Sequence, residues 1–429
     1  MNAPKLNDLD AWQAARLIAR RELLAVDLLR ACLDRVAERD SEVHAFAHLD
    51  RDLALAQARA LDSGPVRGPL HGLPIGVKDL FDTFDLPTSY GSPVYSAHRP
   101  VSDAAAVALC REAGAIVMGK TVTTEFAYFH PGPTRNPCNL AHTPGGSSSG
   151  SAAAVADRML PLALGTQTAG SVIRPAAYCG VVGYKASSGR VPRAGVKSLS
   201  ETLDTLGGFG RNVRDVALLG AVLTGDTRLN TDFDASAAPR IGLCRTPEWA
   251  SAEADTQRAW DTATDTLMRL APSLSDVALP ADLPDLVALQ KEIMAFEMFR
   301  ALSVERLRYR DQLSPQLQAL LDYGTEISGA AHAANLVRTE MAKHRVDTLF
   351  DQFDVLLAPS AAGEAPVGTD ATGDPLFCRS WTLLGLPCVH LPFTHGSKGL
   401  PVGLQLVGRW GEDHRLLSSA QWVYERLTK

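Results

Sequence analysis

The stretch TPGGSSSGSAAAVADRMLPLALGTQTAGSVIRP, residues 143–175, decides how the chain is to be read. It opens on glycines and three consecutive serines, Ser147, Ser148 and Ser149. Small residues (151–156) and an apolar segment (160–164) follow, and Gly165-Thr-Gln-Thr-Ala-Gly then leads into Ser171. Glycine lets backbone approach a partner closely, and consecutive N–H groups on a tight turn can converge on one negative charge. A serine at the end of such a turn can attack a carbonyl while those N–H groups hold the developing oxyanion. A Gly/Ser-rich stretch alone is more often a loop or linker. Here helix-forming alanines and an apolar run come directly after it, a composition unlike a flexible tether.

The chain around this stretch has 429 residues, 46% of them apolar, enough for a large core. A formal net charge of −6 and the lack of a long basic run argue against a nucleic-acid-binding surface. The seven cysteines are scattered without a CxxC pair, which favours reduced thiols over a disulfide framework. The opening MNAPKLNDLD has neither a basic nor an apolar leader region, and no apolar run reaches the length of a membrane span. The expectation is a cytoplasmic protein with no membrane contact.

Residues 8–62 read as helical, with Asn7 or Asp8 as first cap, and form an N-terminal helical segment of about residues 1–64 that ends in Ser63-Gly64-Pro65. His44 and His48 are four apart, a helical metal spacing, but nothing nearby completes a ligand set and two ordinary histidines are the favoured reading. Residues 73–77 make a short apolar strand that delivers Lys78. Residues 102–113 make a helix capped by Ser102 and stopped by Gly114, and 116–118 a strand. Residues 176–184 suggest a buried strand or close-packed turn. Helices are expected at 212–223, 256–270 and 283–307, and strands at 241–244, 355–357, 388–391 and 402–407, before a closing helix with Leu416, Ala420, Val423 and Leu427 on one face. No repeat or persuasive linker interrupts this, so one α/β domain over residues 1–429 is expected.

TPGGSSSGSAAAVA followed by GTQTAGSVIRPAAYCG resembles the amidase signature family of serine hydrolases. The two serines are 24 positions apart (171 − 147), as in family members. LHGLPIGVKD ending at Lys78 and Asp79, GKTVTTEFA at 119–127, DVLLAPS at 354–360 and GLPVGLQLVG at 399–408 extend the resemblance over roughly residues 70–425. It implies an α/β fold with a large central mixed β-sheet covered by helices on both faces. It also implies Ser171 as nucleophile, Ser147 as proton relay held by a cis peptide, and Lys78 as base. The backbone N–H groups of Thr168, Ala169, Gly170 and Ser171 would form the oxyanion site, with no metal and no cofactor. Two departures stand out. Gln167 occupies a position that is commonly aspartate, and Arg174 falls one place later than usual, so an amide contact is expected where a carboxylate–guanidinium pair would support the loop. Ala169 replaces a usual glycine.

An amide is a poor electrophile with a poor leaving group. Its hydrolysis needs a nucleophile, a base, an oxyanion site and an acid for the nitrogen, and a lysine whose ammonium is disfavoured by burial can serve as base. The expected activity is hydrolysis of a linear amide through an acyl-enzyme, with carbamate (urethane) or ester substrates as variants, by a monomer or homodimer. The alternative is the A subunit of a glutamine-dependent amidotransferase complex, which the chain also resembles. Gly146-Ser-Ser-Ser-Gly150 fits the G-x-S-x-G elbow of α/β-hydrolases, but a loop rather than a strand precedes it. The acyl pocket is expected from residues 126–131 and the helix around Met294. The Met/Phe cluster of that helix is otherwise core.

Overall fold

The structure, a computed structural model, describes residues 5–230, 237–271 and 273–428. The reading of residues 1–4 as part of a leaderless start lies outside them. Eleven strands form one mixed sheet: β1 (Phe46–Leu49), β2 (Pro74–Lys78), β3 (Ile116–Thr121), β4 (Leu162–Gln167), β5 (Val182–Lys185), β6 (Thr205–Gly210), β7 (Ile241–Leu243), β8 (Leu274–Asp276), β9 (Val355–Pro359), β10 (Cys388–His395) and β11 (Pro401–Gly408). Their order across the sheet is β1-β3-β2-β4-β6-β5-β10-β11-β9-β7-β8. β2 runs parallel to both β3 and β4, β7 runs parallel to β8 and β9, and the remaining pairs are antiparallel. Successive strand residues point to opposite faces, yet every residue of β2, β3, β4, β5, β6 and β9 is buried, so both faces of the sheet are covered.

The helices are α1 (Ala11–Ala19), α2 (Ala25–Val43), α3 (Arg51–Ser63), α4 (Ala105–Glu112), α5 (Ser149–Ala156), α6 (Ile173–Cys179), α7 (Val213–Thr224), α8 (Ala254–Met268), α9 (Leu286–Ala301), α10 (Ser303–Arg308), α11 (Pro315–Glu326), α12 (Gly329–Asp347), α13 (Leu376–Leu383) and α14 (Asp413–Leu427). Several expectations need correction. Asp10, not Asn7 or Asp8, caps α1, accepting from Gln13 N at 2.7 Å. Strand β1 interrupts the expected helical run, so His44 is a left-handed C-cap and His48 a strand residue, and their spacing is not helical. Ser102 caps nothing; α4 starts after Ala104 without a side-chain cap. Residues 176–184 divide into the end of α6, a left-handed Gly180 and the strand β5. The helix expected at 283–307 breaks at Leu302.

Two local features place the site. β2 and β4 are parallel neighbours, so Lys78 and Gln167, their last residues, reach the same edge of the sheet, where α/β sheets open crevices. Helix α5 follows the serine loop with all residues through Val155 buried, and it packs against β2, β3, β4 and β6. Only small side chains allow so close an approach. A Cβ on Gly150 would run into Ala45 O and Val122 N, both backbone atoms. Gly150→Ala is therefore expected to destabilise the fold by about 1–3 kcal/mol or more, by overpacking that only backbone shifts can relieve. A urea denaturation midpoint equal to that of the parent protein would contradict this.

Candidate active site

Lys78 ends β2 fully buried. Its Nζ donates to Ser147 Oγ at 2.7 Å and to Thr166 Oγ1 at 2.7 Å, so its partners among the described residues are both hydroxyls. Burial pushes its pKa well below the ordinary 10.5; the Asp204 carboxylate pulls it back up and the Arg174 guanidinium pushes it further down. Two other buried lysines near the sheet's core show what is distinctive here. Lys120 meets Asp79 Oδ1 at 3.1 Å and donates to Phe81 O and Thr88 Oγ1. Lys185 donates to the carbonyls of Ala186 and Leu386. Asp79, next to Lys78 in sequence, thus serves Lys120. Lys78 alone of the three is matched only by groups that can give or take a proton.

The structure separates the three consecutive serines. Ser148 Oγ donates to Thr166 O at 3.3 Å and Ser149 Oγ to Gly145 O at 2.8 Å, both structural bonds to backbone. Ser148 is the centre of the G-x-S-x-G match and is committed to that carbonyl, so the elbow reading fails. Ser147, which follows a cis Gly146–Ser147 peptide, is the serine that faces Lys78.

Ser147 and Ser171 line one small cavity of about 20 Å³ together with Ala127, Tyr128, Phe129, Thr168, Ala169, Arg174, Leu199, Met294 and Pro375. That volume holds about one water molecule. Of the region expected to form the acyl pocket, Ala127, Tyr128, Phe129 and Met294 are walls of this cavity. Met298 lies instead in the core, and Phe296 stacks on His332 with ring centroids 4.3 Å apart. A larger cavity of about 360 Å³ shares the Leu199 wall and is lined also by Thr166 and Asp204.

The turn carrying Ser171 is held from three sides. Gln167 Oε1 accepts from Val172 N at 2.8 Å and Ile173 N at 3.0 Å, and its Nε2 donates to Thr382 Oγ1 at 2.9 Å. Thr382 Oγ1 in turn donates to Ala169 O at 2.7 Å. Arg174 donates to Gly146 O at 2.6 Å and to Gly373 O, tying the Ser171 turn to the Ser147 turn. Thr168 Oγ1 donates to Asp204 Oδ1 at 2.6 Å, and Gln290 Nε2 to Thr168 O at 3.0 Å. An amide thus stands in for the expected carboxylate–guanidinium support. Ala169 takes no positive φ, so its Cβ costs nothing there. The N–H groups of Thr168, Ala169, Gly170 and Ser171 have no acceptor among the described residues, and so remain available to a bound oxygen.

Sequence reading gave no role to Thr166, Asp204, Gln290 or Thr382. Asp204, half-buried and held by Leu199 N at 2.8 Å and Ser200 N at 3.1 Å, sits in an unremarkable SETLDT segment. Helix α13, source of Thr382, was not foreseen. Its apolar residues in LFCRSWTL recur at helical spacing, which is the signal that could have located it.

Known proteins share this arrangement of chain. The family model described as Amidase matches residues 27–417. The A subunit of a glutamyl-tRNA(Gln) amidotransferase from Roseiflexus castenholzii (strain DSM 13941 / HLO8) is 34% identical over 477 residues, covering 99% of this chain and 96% of that one. Among solved structures, one described as a crystal structure of amidase superposes with a TM-score of 0.88 at 30% identity, covering 97% of this chain and 100% of the other. The native peptide amidase from Stenotrophomonas maltophilia gives a TM-score of 0.82 at 28% identity, over 98% of this chain and 97% of its own.

Removing the amide of Gln167 is the direct test of the loop's support. Gln167→Leu would leave the buried N–H groups of Val172 and Ile173 without acceptors, at about 1–3 kcal/mol each. A fall in urea-unfolding free energy of about 2–6 kcal/mol for the two groups together is expected, with slower reaction of Ser171 toward a serine-directed reagent. Unchanged stability would show that the turn is held by other contacts.

Proposed function

The chain belongs to the amidase family, and from that premise we propose that it cleaves the C–N bond of a linear carboxamide through an acyl-enzyme on Ser171. The observation that carries the reading is the fully buried Lys78 amine 2.7 Å from Ser147 Oγ, with Ser147 and Ser171 on the wall of one cavity. Neutral at working pH, Lys78 takes the proton of Ser147, which takes that of Ser171 as its Oγ attacks the carbonyl carbon. The N–H groups of Thr168, Ala169, Gly170 and Ser171 receive the oxyanion. The same proton returns through Ser147 to the departing nitrogen, so the relay acts as base and then as acid. Water completes the cycle and releases the acid. Carbamates and esters could enter the same acyl chemistry. The chain works as one amidase domain, as a monomer or homodimer on a small-molecule substrate.

A second reading follows from the relatives. The Roseiflexus protein is named as one subunit of an amidotransferase. On that reading the same residues release ammonia from glutamine, and a partner chain uses it. Ammonia release from glutamine by the purified chain, together with co-purification of endogenous partners, would favour this reading. Finding neither would leave the stand-alone amidase.

The mechanism itself is tested by intact-mass analysis after incubation with a fluorophosphonate, followed by peptide mapping. Labelling is expected at Ser171, to be abolished in Ser171→Ala and slowed about a hundredfold or more in Lys78→Ala, the scale of a lost general base. Full labelling of a folded Lys78→Ala variant would refute lysine as the base.

The pH dependence has a definite sign. Because burial lowers the Lys78 pKa, the neutral amine forms at lower pH than for a free lysine. The labelling rate should rise with pH and reach half its maximum well below pH 10.5. A midpoint near that of a solvated lysine would contradict a buried, neutral base.

A further inference from the structure

We propose that the cavity of about 360 Å³ is the subsite for the leaving amine, and that the substrates are amides whose nitrogen carries an uncharged, ring-sized substituent. This rests on the acyl-transfer reading of the site and names the leaving group that it releases. The cavity holding Ser147 and Ser171 has room for about one water molecule, too little for a substrate with bulk on both sides of its C–N bond. The larger cavity adjoins it at three points. Leu199 is a wall of both. Thr168, a wall of the small cavity, donates through Oγ1 at 2.6 Å to Asp204, a wall of the large one. Thr166, another wall of the large cavity, is held by the same Lys78 amine that holds Ser147.

Proton transfer sets which half of the substrate belongs there. The leaving nitrogen takes its proton from Ser147, so it lies on the side of the site where Ser147 meets Lys78. Two hydrogen bonds through the Lys78 amine lead from Ser147 to Thr166. Thr166 on β4 pairs with Leu206 on β6, which puts both side chains on one face of the sheet, and both line the large cavity. A substituent on the nitrogen thus extends from Ser147 past Leu199 toward Thr166 and Leu206. Asp204 accepts from Leu199 N and Ser200 N and fixes the backbone there, so the passage opens by rotation of the Leu199 side chain. The charged groups of the lining are already engaged. Lys197 meets Glu305 at 2.5 Å, Arg193 meets Glu201 at 3.3 Å, and Asp204 is spent on Thr168 and the two N–H groups. Val196, Leu199 and Leu206 supply apolar wall, and the volume is in the range of small-ligand pockets.

The test uses Ser171→Ala protein, so that ligands bind without turnover. Calorimetry compares N-benzylacetamide with acetamide, which share a minimal acyl group and differ only beyond the nitrogen. N-benzylacetamide should bind about tenfold or more tightly, the scale of burying a large apolar side chain. Ala194→Trp in the same background puts an indole into the larger cavity and should erase most of that ratio. Leu199→Ala, which thins the shared wall, should raise it. In protein with Ser171 intact, Ala194→Trp should lower kcat/KM for benzylamine release about tenfold more than for ammonia release.

Equal or undetectable binding of the two amides overturns the proposal. So does an Ala194→Trp variant, folded by circular dichroism, that leaves the ratio unchanged, because the benzyl group would then sit elsewhere. If Ala194→Trp does not fold, Ser198→Trp on the same lining and the Leu199→Ala ratio decide on the same terms. The hydrolase reading fails separately, on absent Ser171 labelling in the parent protein. Labelling at Ser171 without preference for the N-benzyl amide strikes the subsite alone.

Discussion

Everything at this site depends on keeping one amine dry. Lys78 sits at the carboxyl end of β2, between β3 and β4, in a sheet whose central strands are buried on both faces. Taking an ammonium out of water there is unfavourable, and burial holds the Lys78 pKa well below the ordinary 10.5. Ser147 and Thr166 satisfy its hydrogen bonding without supplying negative charge. Lys120, on the neighbouring strand, shows the other outcome. Burial lowers its pKa too, but the Asp79 carboxylate 3.1 Å away opposes that and favours the ammonium. The two lysines differ in partners rather than in depth: two hydroxyls for Lys78, a carboxylate for Lys120.

Small residues make this placement possible. Helix α5 can press its backbone onto the sheet because its residues are Ser, Gly, Ala and Val, and this brings the Ser147 turn over the end of β2. The Ser171 turn leaves the neighbouring strand β4, so the two serines converge because β2 and β4 are parallel neighbours. Arg174 then joins the turns through the Gly146 carbonyl. A loop rich in glycine and serine is usually mobile, but here Ser148 and Ser149 are spent on backbone carbonyls and Ser147 on Lys78.

Much of this was legible in the sequence, for identifiable reasons. The strand before Lys78, the alanine helix after the serines and the hairpin of β10 and β11 all carry strong local patterns. The stretch from residue 143 to 175 held both serines and the turn between them. What stayed hidden was set by distant partners. β1 is four residues long and lies within a helical pattern, and its existence depends on pairing with β3. Nothing local distinguishes Lys78 from Lys120; the Asp79 side chain could have served either, and only the fold shows which. Asp204 and Thr382 hold the Ser171 turn from 36 and 213 residues away in sequence, distances at which a motif offers no signal.

The amide at position 167 also bears on the base. Gln167 is the residue after Thr166, whose hydroxyl holds the Lys78 amine. Its two oxygen-accepted N–H bonds and one donated bond do what a carboxylate would do for the turn, but without its charge. A carboxylate there would favour the ammonium form of Lys78 and raise its pKa. With glutamine in place, the charges that bear on the amine are Asp204, which favours the ammonium, and Arg174, which opposes it. Desolvation is the largest effect, with Asp204 opposing it and Arg174 adding to it. Glutamine at this position thus holds the Ser171 turn through neutral hydrogen bonds and adds no negative charge beside the buried lysine.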